Sequence, residues 1–235
     1  MPLTGLDQVD WAHIHHSPGG TAEKFPKWLE ALVSDDDLAW ADEMDIEVTE
    51  VESALDNITL EDMEAENWDR LAFQNLVEYS NHQGSIYEVT PYVIPFVNQI
   101  LGMVSPEHQR LLLFLLGGYA RGYQFPNEDH EFMRGVYERK KIDFDAVLAR
   151  DKQAVEDTHA RLQESISLYT TFLTNSDLRV RKAAVELIGA ISEYASEARQ
   201  ILVERLKVET DEDIRAAIHA EIMAQMGPPG LKSGK

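Results

Sequence analysis

Histidines and carboxylates are the residues from which any chemistry in this chain would have to start, because the sequence contains no cysteine. That removes thiol nucleophiles, thiolate metal sites and disulfides. Three histidines cluster at His13, His15 and His16, just ahead of Ser17-Pro18-Gly19-Gly20. His13 and His16 are three apart and would share a face on a helix, as a metal-binding pair needs. The Ser-Pro-Gly-Gly run opposes a helix there, and no acidic ligand is set by spacing, so solvated or packing roles are expected. His82-Gln83-Gly84 could form a catalytic turn. The simpler expectation gives Gly84 the left-handed conformation of a helix-helix turn, with His82 and Gln83 bonding local carbonyls. The Gly-Gly pairs at 19–20 and 117–118 read as turns, since neither stands in a strand–glycine loop–helix frame. No hydrolase elbow, zinc-protease motif or kinase set is present. Catalytic, cofactor-binding and metal-binding residues are therefore assigned as none, and the chain is not expected to be an enzyme.

The carboxylates are far more unusual. Between Trp28 and Asp69 there are 16 acidic residues and no Lys or Arg. Asp35-Asp36-Asp37 lacks the glycine and terminal glutamate of a calcium loop, so the block reads as a solvated face or a surface for a partner. As a partner-binding surface it would comprise Asp35, Asp36, Asp37, Trp40, Asp42, Glu43, Asp45, Glu47 and Glu50, with the Trp40 ring as a desolvated anchor. Trp68 is expected in the core. The whole chain carries a net charge of −21, divided as −18 over residues 1–140 and −3 over 141–235. Such a field repels phosphate backbones and anionic lipids and draws in cations. A basic protein is the expected partner, with no nucleic acid and no membrane.

The elements that position these residues read as helices throughout. Segments between turn signals have helical periodicity, and none alternates as a strand would. Val180, Ala184, Leu187, Ile188 and Ile191 form one apolar face after Asp177. Thirty-four residues on, Asp211, Ile214, Arg215 and Ile218 repeat Asp177, Val180, Arg181 and Ala184. That period is the mark of stacked helix pairs. Asp177 and Asp211 are expected to cap their helices, and Arg181 and Arg215 to pair with the turn aspartates. Ser105-Pro106 opens another helix. A loop-rich insert is expected over about 117–143 and one long helix over about 144–173, with Asp151 interrupting its stripe. The fold class is then all-α, an α-solenoid of about four to five stacked helix pairs. It would form one domain over 1–226 with a disordered tail at 227–235. The most apolar window, around Leu111–Leu116, is far shorter than the roughly 20 residues of a membrane span. No signal peptide is readable at the start, so a cytoplasmic location is expected.

Two passages resemble bacterial HEAT-repeat proteins. Trp11-Ala12-His13 through Gly19-Gly20 to Phe25-Pro26-Lys27-Trp28-Leu29 is similar to that family's opening, and His82-Gln83-Gly84 followed by Thr90-Pro91 and Pro95-Phe96 is similar to its His-Gln-Gly turn and Pro-Phe helix. The resemblance covers roughly 10–102 and departs from the family in the acidic stretch and in the insert. It implies a helical solenoid with a recognition role, and some similar proteins look like immunity factors paired with secreted toxins. The leading expectation is thus an acidic scaffold that captures a basic protein such as a toxin domain. The alternatives are a HEAT-like enzyme acting on nucleic-acid bases or a chromophore, and a homo-oligomeric scaffold joined through the 144–173 helix.

Overall fold

An aspartate ahead of an apolar stripe marks the start of three helices, and one kind of bond explains each start. The computed structural model describes residues 2–16, 20–33, 72–125 and 131–224. In it Asp143 accepts from the amides of Asp145 and Ala146 at 3.0 and 3.1 Å. Asp177 accepts from Arg179 at 2.8 Å, and Asp211 from Asp213 and Ile214 at 3.1 and 3.0 Å. These amides have no partner within their own helices. Pro91 and Pro106 instead occupy first-turn positions where no N–H is needed.

Among the described residues the α-helices are α1 (Phe25–Ala31), α2 (Ala72–Ser80), α3 (Thr90–Leu101), α4 (Pro106–Arg121) and α5 (Glu131–Arg139), then α6 (Phe144–Glu164), α7 (Ile166–Phe172), α8 (Leu178–Ile191), α9 (Ser196–Val208) and α10 (Glu212–Ala224). There is no strand among those residues, and extended pairing there is limited to two isolated bridges, His15 with Thr21 and Ser85 with Tyr123. Helices pack as pairs: α1 with α2, α3 with α4, α6–α7 with α8, and α9 with α10. Across pairs, α4, α8 and α10 are neighbours in one layer, while α3 packs on α6 in the other. The fold is an all-α solenoid of stacked helix pairs.

Its centre is α8. Val180, Ala184, Val185, Leu187, Ile188, Ala190 and Ile191 are each 0% exposed, because α4 and α10 cover opposite sides of the helix. Burying a Leu or Ile side chain contributes about 1.5–3 kcal/mol. The buried cluster that α8 anchors is continuous from Leu3 to Ile218.

Several expectations need correction. Gly117 and Gly118 do not turn the chain, because α4 runs through them to Arg121. A Cβ at Gly117 would touch the Leu187 backbone at 3.9 Å, and one at Gly118 would lie 2.5 Å from Asn81 Nδ2. The first distance is an ordinary contact, whereas the second shows that Gly118 leaves room for the Asn81 side chain. The insert is correspondingly shorter than 117–143, and Glu131–Arg139 within it is helical. The single long helix expected over 144–173 is instead two, broken at Ser165 (φ −92°, ψ 3°), and Asp151 lies within the first of them. Ser165 Oγ donates to Arg161 O at 2.9 Å and accepts from Asn98 Nδ2 at 2.9 Å. Finally, Arg179 rather than Arg181 pairs with Asp177, at 2.9 Å. Arg215 donates to the carbonyls of Leu206 and Glu209 at 2.9 and 2.8 Å, closing the end of α9.

Between α9 and α10 Glu209 is only 4% exposed. Burial opposes its charge, but the Asp211 amide, the Arg205 side chain and the Thr210 amide together outweigh it and bring the carboxyl down from 4.5 to about 2. A depressed carboxyl contributes stability that is complete above the unfolded value of 4.5 and disappears as pH falls from there toward 2. Glu209→Gln is predicted to cost about 1–3 kcal/mol at neutral pH by urea denaturation. It should also flatten the acid limb of the stability profile, and an unchanged limb would contradict the assignment.

Candidate protein-binding surface

Every residue of the candidate acidic surface, Asp35, Asp36, Asp37, Trp40, Asp42, Glu43, Asp45, Glu47 and Glu50, lies outside the described residues, as does Trp68. The structure does show what stands on either side of that stretch. Val33 follows α1 and Ala72 opens α2, and these two helices pack together. The contact is aromatic. Trp28 stacks on Tyr79 at 5.3 Å and meets Phe25 at 5.0 Å, while Trp11 contacts Phe25 at 6.1 Å and Phe96 at 5.8 Å. Offset and tilted pairs of this kind add to the burial of the rings themselves. His16 completes the cluster edge-on to Tyr79 at 4.9 Å, and a Cβ at Gly20 would fall 2.7 Å from its Nε2. The Trp-His-Gly-Phe-Trp passage thus builds the frame from which the acidic stretch departs.

The His-Gln-Gly turn belongs to the same frame. Gln83 and Gly84 both have positive φ, 51° and 79°. Tyr123 donates its hydroxyl to Gln83 O at 2.9 Å, and backbone bonds join Ile86 to Tyr123 and Tyr123 to Gly84. A side chain at Gly84 would meet the Tyr123 ring at 3.1 Å. His82 bonds the Glu78 carboxylate at 2.8 Å instead of a carbonyl.

The three N-terminal histidines do not converge. His13 is exposed and paired with Asp10 at 2.8 Å, whose hydrogen bond and charge raise its pKa. His15 reaches Glu88 at 2.9 Å, and His16 faces the aromatic cluster. Among the described residues no group of three His, Cys, Asp or Glu side chains is arranged to hold a metal.

One cluster was missed by sequence reasoning. Glu88 accepts from the His15 amide at 3.2 Å and lies 3.8 Å from Arg150 Nε, which is 3.2 Å from Asp151. Asp151 is 3% exposed. Burial raises its pKa, and Arg150 works against that rise. These side chains fasten the N-terminal loop and the turn before α3 to α6. The signal was present as a carboxylate on the apolar stripe of α6.

Exposed charges on the α4–α8–α10 layer are largely neutralised in place. Arg179 reaches Glu107 at 3.4 Å, and Arg121 reaches Glu221 and the Glu186 carbonyl, both at 3.1 Å. Between α3 and α6 a cleft of about 300 Å³ is lined by Pro91, Tyr92, Asp157, Ala160, Arg161 and Glu164. Neither surface has the one-sign character of the 28–69 stretch.

With this geometry in place, residues 151–221, from within α6 to α10, match a family model described as HEAT repeats. The match falls on the stacked pairs with the 34-residue period, outside the 10–102 passage that carries the family resemblance. No curated protein and no solved structure matches the chain. Residues 151–221 are thus similar to HEAT repeats, set within a stack of helix pairs. Repeats of this kind commonly serve protein–protein interaction and are generally non-catalytic, using the extended surfaces that stacking creates. No helix among the described residues is long and apolar enough to cross a membrane.

A second titratable group marks the junction of α6 with α8. His159 stacks on Tyr194 at 4.0 Å. Burial lowers its pKa from 6.5, while the Ala120 carbonyl and Glu193 act in the opposite sense. A base that stays neutral in the fold but protonates when unfolded makes stability fall as pH drops below 6.5. His159→Gln is predicted to lose less stability than the natural chain between about pH 7 and about pH 5.5, measured by denaturant midpoints. Equal losses would contradict this.

Proposed function

We propose that the chain is a non-catalytic binding module that captures a basic protein through the acidic surface at Asp35, Asp36, Asp37, Trp40, Asp42, Glu43, Asp45, Glu47 and Glu50. The partner we favour is a toxin domain that the chain neutralises in the cytoplasm. One observation carries this proposal: 16 acidic residues and no cation between Trp28 and Asp69. A run of one sign imposes self-repulsion on the folded chain, and its compensating use is to attract opposite charge. Long-range attraction speeds encounter, and specificity then comes from whatever apolar groups become buried. The aromatic frame of α1 and α2 supports the proposal by fixing both ends of the stretch to the scaffold. The HEAT repeats support it through the general role of such stacks, and the self-neutralised α4–α8–α10 surface leaves the acidic stretch as the dominant source of field.

The test is capture from cells of the source organism at low salt, with the captured protein then purified for kinetics. A basic protein should be retained, and its association should slow steeply as salt is added. Replacing Asp35, Asp36 and Asp37 together by Lys should reduce the association rate by about tenfold or more, with helicity unchanged by circular dichroism. Capture of acidic proteins alone, or an association rate indifferent to the triple substitution, would overturn the proposal.

A further inference from the structure

The cleft between α3 and α6 has walls of distinct chemistry. Along α6 the stripe Ala154, Thr158 and Leu162 is buried. Asp157, Ala160, Arg161 and Glu164, three and four residues apart, form an exposed strip beside it. α3 supplies Pro91 and Tyr92 as the facing wall, and the small Ala160 side chain leaves open a space of about 300 Å³. Tyr92 is 43% exposed, so part of its ring remains uncovered. Arg161 is drawn to Glu164 at 3.4 Å. Among the described residues Asp157 has the Gln153 amide at 2.9 Å as its partner and no cation. Two carboxylates thus share one guanidinium, and one negative charge is left over. A further acceptor comes from the backbone. Pro95 lies inside α3 and has no N–H, so the Pro91 carbonyl lacks the donor that an uninterrupted helix would supply.

We propose that this cleft seats an arginine side chain of the basic protein that the chain captures, with its guanidinium against the Tyr92 ring and the Asp157 carboxylate. The proposal rests on that reading of the partner and adds a second contact with a different task. An aromatic face, a spare carboxylate and a spare carbonyl call for a planar cation with several N–H donors, which is what a guanidinium is. A lysine ammonium is a point charge that cannot stack flat on the ring. Size selects a side chain over a whole metabolite, because small-molecule sites start at about 300 Å³ and enclose most of their ligand. Charge on the acidic stretch acts at long range and sets how fast the partner arrives. A seated side chain acts only at contact and sets how long the partner stays.

Titration with acetyl-arginine amide, followed through backbone amide shifts by NMR, tests the cleft without the partner. Saturable shifts centred on Tyr92, Asp157 and Ala160 are expected, with weak affinity as befits a single side chain. Acetyl-lysine amide should bind several-fold more weakly, and acetyl-norleucine amide should not saturate. Asp157→Asn and Tyr92→Ala should each weaken binding by about tenfold, with helicity and melting reporting the fold. Arg161→Ala should instead tighten it by removing a competing cation, a change of sign that a structural role would not produce. Shifts that never saturate, equal shifts with the norleucine compound, or variants that bind like the natural chain would overturn the proposal. So would free arginine binding more tightly than the blocked form, since the site would then be one for the amino acid. With the captured protein, Asp157→Asn should raise the dissociation rate while the association rate stays nearly constant, and an unchanged dissociation rate would also overturn it. Because the titration needs no partner, a failed capture strikes the reading of the partner, and a cleft that binds no arginine strikes this site.

Discussion

Burial of α8 between α4 and α10 is the contact on which the rest of this molecule depends. On one side Leu187 lies in van der Waals reach of Gly117 of α4, and on the other the Glu221 side chain of α10 lies over Gly189. Val180, Ala184, Val185, Leu187, Ile188, Ala190 and Ile191 of α8 are inaccessible to solvent as a result. Since protein interiors are packed as densely as organic crystals, truncating these side chains would leave cavities that the fold closes only in part. The polar links are placed around this seam. Arg121 crosses it to Glu221 and the Glu186 carbonyl, and Arg179 crosses it to Glu107.

The N-terminal half is organised on a different principle. α1 and α2 are short, 3-10 turns precede α1 and stand between α2 and α3, and aromatic rings do much of the packing that repeat periodicity does elsewhere. Trp11, Phe25, Trp28 and Tyr79 form a platform, and the His15–Glu88–Arg150–Asp151 cluster fastens its edge to α6. Nearly all of the excess negative charge belongs to this half. A regular, almost neutral stack is thus continuous in sequence with a strongly charged stretch that lies between two helices packed by apolar contacts.

The stacked pairs near the C-terminus were legible because a carboxylate cap and an apolar stripe at fixed spacing specify a helix start locally. Asp177 and Asp211 accordingly cap their helices. Gly117-Gly118 misled because glycine serves turns and close helix contacts alike, and only the position of Leu187 and Asn81 decides between them. The break at Ser165 depends on Asn98, 67 residues away in sequence. Arg179, Arg181 and Arg215 follow one another too closely in pattern for spacing to show which reaches an aspartate and which closes a helix end. The role of Glu88 with His15 was hidden for the same reason as Asn98, since their 73-residue separation leaves no local trace.

The central claim, that negative charge between residues 28 and 69 exists to meet a positive surface on another protein, is tested most directly by hydrogen exchange of the chain free and bound to its captured partner. Strong protection of amides in 28–69 and at the neighbouring ends of α1 and α2, with the α4–α8–α10 layer unchanged, is the predicted result. Protection confined to the stacked repeats, with the acidic stretch exchanging as freely as before, would contradict it.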